Sequence, residues 1–368
     1  MWPLTKVKGK MGHKAPTYRG FFFAPERGNM PKKLTRSTEQ FTVLEGDWQS
    51  RVIIHVPHAG LHIPEKEMPT FTLQGAELEA EAVLMADVST DELARKVYED
   101  AEMKPWVFIN NLSRLVVDPE RFTDASEEMN AVGMGFAYEK TSDQRLLRTV
   151  DEELSNRLLE SYHQPYSDAF AALTSEIFIR NKSVTIIDLH SYAVDALPYE
   201  LHQESSRPGL CVGTDRSHTS SNLIIEVESQ FEDFTSVAKN TPFSGSYVPL
   251  PFYEQNSNIE SIMLELRKDT YGFGDPTSEG FVQTTAAITN LVDRLSPQPT
   301  IDLYFDRDQF EVECDRDFRN DQWRAISSDM ESELYDYFDI LLEKYRAAVE
   351  AGKYEDIEPE VIPQRISI

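Results

Sequence analysis

"VIIHVPHAGLHIP", residues 52–64, opens as an unbroken β-branched run and closes as a loop in which His55, His58 and His62 crowd around Pro57, Gly60 and Pro64. The run is short, apolar on both faces and ends at a proline. It therefore predicts a strand buried from both sides, with His58 just past its carboxyl end. Comparable runs recur as "WVFIN" (106–110), "RLVVD" (114–118), "VTIIDLH" (184–190), "LCVG" (210–213) and "SIMLELR" (261–267). Helical patterns lie between them. In "DQRLLRTVDEELSNRLLESY" (143–162), Leu146, Leu147, Val150, Leu154 and Leu158 form one stripe, and "SEGFVQTTAAITNLVDRL" (278–295) is a second such stretch. Buried strands alternating with helices predict an α/β fold, with a mostly parallel or mixed central sheet flanked by helices.

Composition narrows the function classes. The chain has 368 residues, 40% hydrophobic content and a formal charge of −27, so it can bury a sizeable core but offers phosphates no general basic field. Nucleic acid and anionic membrane surfaces are not expected partners, and no apolar run approaches the ~20 residues of a membrane span. Cys211 and Cys314 are too far apart for a zinc ribbon or a disulfide framework, which suits a cytoplasmic protein. Residues 1–45 read as a flexible basic lead-in rich in Gly and Pro, and 46–296 as the α/β domain. Beyond the break at Pro297 and Pro299, residues 297–368 read as an acidic, mainly helical appendage, with Leu334, Tyr337, Phe338, Leu341, Leu342 and Tyr345 at helical spacing.

Ligands of such sheets sit beyond the carboxyl ends of strands, and both His58 and His190 fall there. If their strands are close, the two imidazoles can reach one cation at ~2.0–2.1 Å. Two histidines and a carboxylate are a usual ligand set for hydrolytic zinc. His55, inside its strand, reads as a satisfied structural histidine, and His62 as a surface loop residue. H-x-x-E is absent, because Leu61 stands three places after His58. Asp87, in "LMADVSTDELARKVY", precedes a capping box of Ser89 and Glu92, and it reads equally as a complement to that helix terminus. Period two places Met263, Glu265 and Arg267 on one face of their strand, where Glu265 is either a solvated residue or a base beside a metal site. Arg114, Asp118 and Arg121 form either a surface ion network or a clamp for a carboxylate.

Taken in order, "VPHAG", "SRLVVDPERF", "YHQPY", "IIDLHS", "FSGSY" and "LELRKDTYG" resemble the N-formylglutamate amidohydrolase family over roughly residues 50 to 295. The resemblance implies a carboxypeptidase-like fold and a zinc-dependent amidase that cleaves a small acyl group, typically formyl, from an acidic amino acid. It also implies His58, Asp87 and His190 as the zinc ligands and Glu265 as the general base. Arg114 and His163 join Glu265 as catalytic candidates, and Arg121, Arg267 and Tyr247 as substrate-binding candidates. The chain departs from the family at Ser167, where a histidine is usual, and at Glu92, where an arginine is common. Other readings of the same pattern are a metal-dependent peptidase, another N-acyl amidase, or a non-catalytic protein that binds an acidic metabolite or a partner.

Overall fold

The computed structural model describes residues 37–201, 203 and 205–296, together with strands Thr300–Phe305, Phe310–Cys314 and Gln364–Ser367. Seven strands form the main sheet: β1 (Phe41–Leu44), β2 (Val52–Val56), β3 (Trp106–Asn110), β4 (Val184–Tyr192), β5 (Leu210–Thr214), β6 (Val237–Lys239) and β7 (Ile259–Arg267). Their order is β1-β3-β2-β4-β7-β5-β6. The central four, β3-β2-β4-β7, are parallel, while β1 pairs antiparallel with β3 and β5 antiparallel with β7. The sheet is therefore mixed, as the alternating pattern predicts. Its first strand already lies inside the stretch read as a lead-in. The three further strands form a separate antiparallel sheet within 297–368, and the helix expected around 334–345 lies outside the described residues.

Alternation along each strand sorts the core into two layers. Val52, Ile54 and Val56 of β2, Ile187 and Leu189 of β4, and Ile262, Leu264 and Leu266 of β7 pack into one cluster. That cluster is covered by α2 (Thr90–Asp100), α5 (Ser221–Phe231) and α6 (Glu279–Leu295) through Leu93, Val97, Val227, Phe231, Ile288 and Leu291. Each fully buried side chain of this kind contributes roughly 1.5–3 kcal/mol, so the seam holds the sheet firmly. On the opposite face, Ile53 and Ile186 pack with Tyr166, Phe170 and Ile177 of α4 (Gln164–Asn181). His55, Asp188, His190 and Glu265 belong by period two to this second face. The polar residues singled out by the strand pattern thus share one side of the sheet.

Helix starts follow local capping. Ser278 Oγ accepts from Phe281 N at 3.1 Å, and Asp151 Oδ1 accepts from Leu154 N at 2.8 Å. The second cap corrects the expectation for 143–162: the helix begins only at Glu152, the preceding residues run irregularly, Leu146 is exposed and Leu147 is buried. That helix, α3 (Glu152–Leu158), passes through a π-helical turn at Leu159–His163 into α4. The expected capping box at Ser89 does not form either. Ser89 has φ 66° and makes no side-chain cap bond, because the left-handed backbone turns its hydroxyl away from the helix amides.

"RLVVD" is not a strand. Val116 N bonds to Ser113 O in a turn, and Leu115, Val116 and Val117 are buried in a cluster with Tyr138, Leu147 and Leu158 rather than in the sheet. The apolar run records burial, and it was the extended backbone that did not follow from it. Arg148 pins this region. It is fully buried, with Nε donating to Tyr138 O and Nη2 to Val116 O, both at 2.9 Å, and burial pushes its guanidinium down to about 10. Arg148→Leu is expected to lower stability by about 2–4 kcal/mol, because two buried carbonyls lose charged donors. Denaturant titration checks this, and a loss below ~0.5 kcal/mol would show that the pin is dispensable. Among the described residues no helix is long and apolar enough to cross a membrane.

Candidate metal centre

β2 ends at Val56, and the chain then turns through Pro57 and His58 against the end of β3. Pro57 O accepts from Asn110 Nδ2 at 2.9 Å. At Gly60 an added Cβ would lie 2.4 Å from the backbone carbon of Asn111, so only glycine allows so close a crossing. This packing holds His58, 3% exposed, at the mouth of the sheet. β2 pairs directly with β4, which carries His190 on the same face near its carboxyl end. Asp87, between α1 (Ala76–Met85) and α2, is drawn in by its own backbone, whose N donates to His58 O at 3.0 Å.

Three atoms converge there. His58 Nδ1 and His190 Nδ1 are 3.2 Å apart, Asp87 Oδ2 is 3.2 Å from His190 Nδ1, and it is 3.6 Å from His58 Nδ1. A tetrahedral cation with ligands at ~2.0–2.1 Å separates those ligands by ~3.3–3.4 Å, so the triangle has the right size for a metal such as zinc. The outer nitrogens support the same assignment. His58 Nε2 faces Asp118 Oδ1 at 2.9 Å, and His190 Nε2 lies 3.2 Å from Asp188 Oδ1 and 3.3 Å from Glu120 Oε2. With a carboxylate bonded to Nε2 of His58 and two more lying close to Nε2 of His190, the Nδ1 atoms of both rings are the ones turned to the triangle, an arrangement suited to a positive charge between them.

Electrostatics agree with the geometry. Burial pulls the His58 imidazole down, but the carboxylates of Asp118 and Asp87 outweigh it and leave it raised. Burial likewise opposes charge on His190, yet Glu120, Asp188 and Asp87 hold it well above the usual range. Burial alone would push the Asp87 carboxyl up, whereas hydrogen bonds from His190 and His58 bring it far below the ordinary carboxylate range.

A cavity of about 230 Å³ opens onto the triangle, lined among others by Arg114, Glu120, Arg121, Glu265 and Lys268. Glu265 stands on β7 in register with His190 of β4. Its Oε2 is buried without a hydrogen-bond partner, and burial pushes its carboxyl up to about 7. Arg114 is tied down, with Nε donating to Tyr138 Oη at 2.8 Å and Nη2 to Asp118 Oδ2 at 2.7 Å. Arg121 is held more loosely, 3.6 Å from Asp118 and 3.9 Å from Glu127.

The structure does not bring every expected residue to the triangle. His163 borders a second cavity of about 520 Å³, with Nε2 3.2 Å from Arg121 O. Tyr247 lines that cavity too, its ring 5.1 Å from His55 and its N donating to Asp188 Oδ2 at 3.1 Å. Arg267 lines neither cavity. Its Nε and Nη2 pair with Asp269 at 2.7 and 3.1 Å, whereas the neighbouring Lys268 faces the metal-sized triangle and donates to Ala86 O at 2.9 Å. Strand alternation pointed to Arg267, but β7 ends there and the chain turns, so the cation on the cavity wall is the next residue. His55 is a satisfied structural histidine, between Asp188 Oδ1 at 2.9 Å and Tyr166 Oη at 2.7 Å. Glu120 was missed: reading "RLVVD" as a strand left it in an ordinary turn, yet it reaches under both histidines.

The model of a family described as N-formylglutamate amidohydrolase matches residues 50–272. Among solved structures, an N-formylglutamate amidohydrolase from Ralstonia eutropha is 19% identical with a TM-score of 0.59, over 70% of this chain and 97% of its own. A gene product of Agrobacterium tumefaciens is 17% identical with a TM-score of 0.53, over 70% and 95%. A metallo-carboxypeptidase from Burkholderia cenocepacia overlaps at a TM-score of only 0.25 and 15% identity, over 67% and 56%, too loosely to argue from. Among curated proteins none matches this chain.

Proposed function

Because this chain belongs to the N-formylglutamate amidohydrolase family, we propose that it is a zinc-dependent, cytoplasmic hydrolase of a small N-acyl acidic amino acid such as N-formylglutamate, releasing formate and glutamate. The observation that carries the reading is the Nδ1–Nδ1–Oδ2 triangle of His58, His190 and Asp87, opening onto the same cavity as the unpaired Glu265 carboxylate. These three residues would hold the ion. When bound, zinc supplies the Lewis acidity that makes water a competent nucleophile near neutral pH.

The chain's own groups do the rest. Glu265 takes the proton of the attacking water at its carboxylate and returns it to the leaving amine nitrogen, so the C–N bond breaks without expelling an amide anion. Arg114, fixed by Asp118 and Tyr138, offers its remaining N–H groups to the oxygen that gains charge at the acyl carbon. Arg121, loosely paired at the junction of the two cavities, is free to grip the substrate carboxylate in a bidentate fork. A small anionic substrate thus meets two local guanidinium groups despite the acidic chain, whose distant charges are screened over about 8 Å at physiological salt.

Metal analysis of the purified protein, together with amine release from a panel of N-acyl amino acids, tests the reading. One zinc per chain and preferred turnover of N-formylglutamate are expected. A metal-free protein that stays inactive with added zinc would sink it. The clamp has its own test, kcat/KM for N-formylglutamate and N-formylglutamine in the unmutated protein and in Arg121→Lys. Lys keeps the charge but loses the fork, so the acidic substrate should lose at least ~10-fold and the neutral one far less. Equal losses would move Arg121 from clamp to scaffold.

A further inference from the structure

Asp118 and Glu120 flank a single proline, and their side chains go to different histidines. Asp118 Oδ1 meets His58 Nε2 at 2.9 Å and also accepts from Glu120 N at 3.2 Å, which folds the tripeptide so that Glu120 turns inward beneath the ligands. Glu120 Oε2 then lies 3.3 Å from His190 Nε2 and 3.7 Å from His58 Nε2, with Oε1 3.4 Å from His55 Nδ1. Two of these atoms are unsatisfied. His190 Nε2 and Glu120 Oε1 are both buried without a hydrogen-bond partner, although His190 is only 3% exposed.

Asp188 is the other carboxylate near His190 Nε2, at 3.2 Å, but both of its oxygens also hold other donors. Oδ1 is claimed by His55 Nδ1 at 2.9 Å, and Oδ2 accepts from Tyr247 N at 3.1 Å. Glu120 Oε2, by contrast, meets no nearer donor than His190 Nε2 among the described residues, the next being His58 Nε2 at 3.7 Å. A ligating histidine is fixed in tautomer and orientation by the carboxylate that takes its outer N–H. We propose that Glu120 is the positioning residue for His190, so that the Asp118-Pro119-Glu120 turn orients both histidines of the metal site, one carboxylate to each. The inference rests on the zinc reading above and gives Glu120 a role through the histidine it orients. His55, Glu120 and Asp188 also lie close enough to hold a cation of their own. The His55–Asp188 hydrogen bond accounts for that contact without one, and the metal stoichiometry separates the two cases.

The test is the zinc dissociation constant of the full chain by competition with a chelating dye, for the unmutated protein, Glu120→Gln, Glu120→Ala and Asp188→Asn. Glu120→Ala should weaken zinc 10- to 100-fold, the range for losing such a partner. Glu120→Gln should fall between, because its amide oxygen still accepts the proton but carries no charge. The metal-free melting temperature of Glu120→Gln should change little beside its loss of zinc affinity, since Gln keeps the shape of the side chain and an accepting oxygen. The visible spectrum of the cobalt-substituted protein should shift in Glu120→Ala, reporting a reoriented ligand. Unchanged zinc affinity in Glu120→Ala would overturn the proposal, as would an effect found only in Asp188→Asn. A fall in metal-free stability parallel to the loss of zinc would overturn it too, by showing a merely structural role. Two zinc ions per unmutated chain would make Glu120 a ligand instead. An unmutated protein that binds no zinc would remove the metal reading itself, an outcome distinct from all of these.

Discussion

Replacing His58 or His190 by Ala is expected to abolish zinc binding and hydrolysis together. Each imidazole supplies one corner of a three-atom triangle, and the two donors that remain hold zinc poorly. The fold itself should survive. Both rings sit at the open ends of β2 and β4, whereas the hydrophobic seam lies on the other face of those strands. Melting curves with and without zinc separate the effects: the unmutated protein gains about 4 kcal/mol when zinc is present at 1,000 times its dissociation constant, and the variants gain nothing. Full zinc occupancy in both variants would remove these residues from the site. Asp87→Ala should behave likewise, because its carboxylate contacts only the two histidines while its backbone holds the loop.

Glu265→Gln is expected to keep zinc and to lower kcat by roughly 10²- to 10⁴-fold, the usual contribution of a positioned general base. Shape is conserved and basicity is lost. Burial has already brought the carboxyl up to about 7, close to the range in which a group can both accept and return a proton at neutral pH. KM should change little, because the carboxylate is asked to act on the proton in flight rather than on the bound substrate. A rise in KM at constant kcat would make Glu265 a binding residue. Unchanged kinetics would make it one more polar residue of β7.

The legible part of this protein is what short range dictates. Strands β2 and β4 and their buried character follow from β-branched runs, and period two sets Glu265 apart from Ile262, Leu264 and Leu266 within its own strand. His58 and His190 are found as candidates because a buried strand must end somewhere and ligands gather at such ends. The same rule misplaced "RLVVD": apolar content reports burial, and burial is satisfied as well by a turn packed under Tyr138 as by a strand. Alternation also pointed to Arg267 and gave no sign of Lys268, which lies one residue past the end of β7 and lines the cavity.

Partners contributed by distant loops were decided by the tertiary structure alone. Asp87 is 103 residues from His190 in the chain, yet its carboxylate lies 3.2 Å from that histidine, and no local pattern distinguishes it from a helix-entry aspartate. Glu120 had no signal of its own, since its role arises only when the turn after Asp118 folds beneath two strand ends that the order β3-β2-β4-β7 brings side by side. The division has a physical cause. Periodicity is set by the backbone within a few residues, so it can be read along the chain, whereas the choice of which loop carboxylate fills a gap of about 3 Å depends on how the strands are ordered and how the loops cross, and those are settled only when the whole sheet packs.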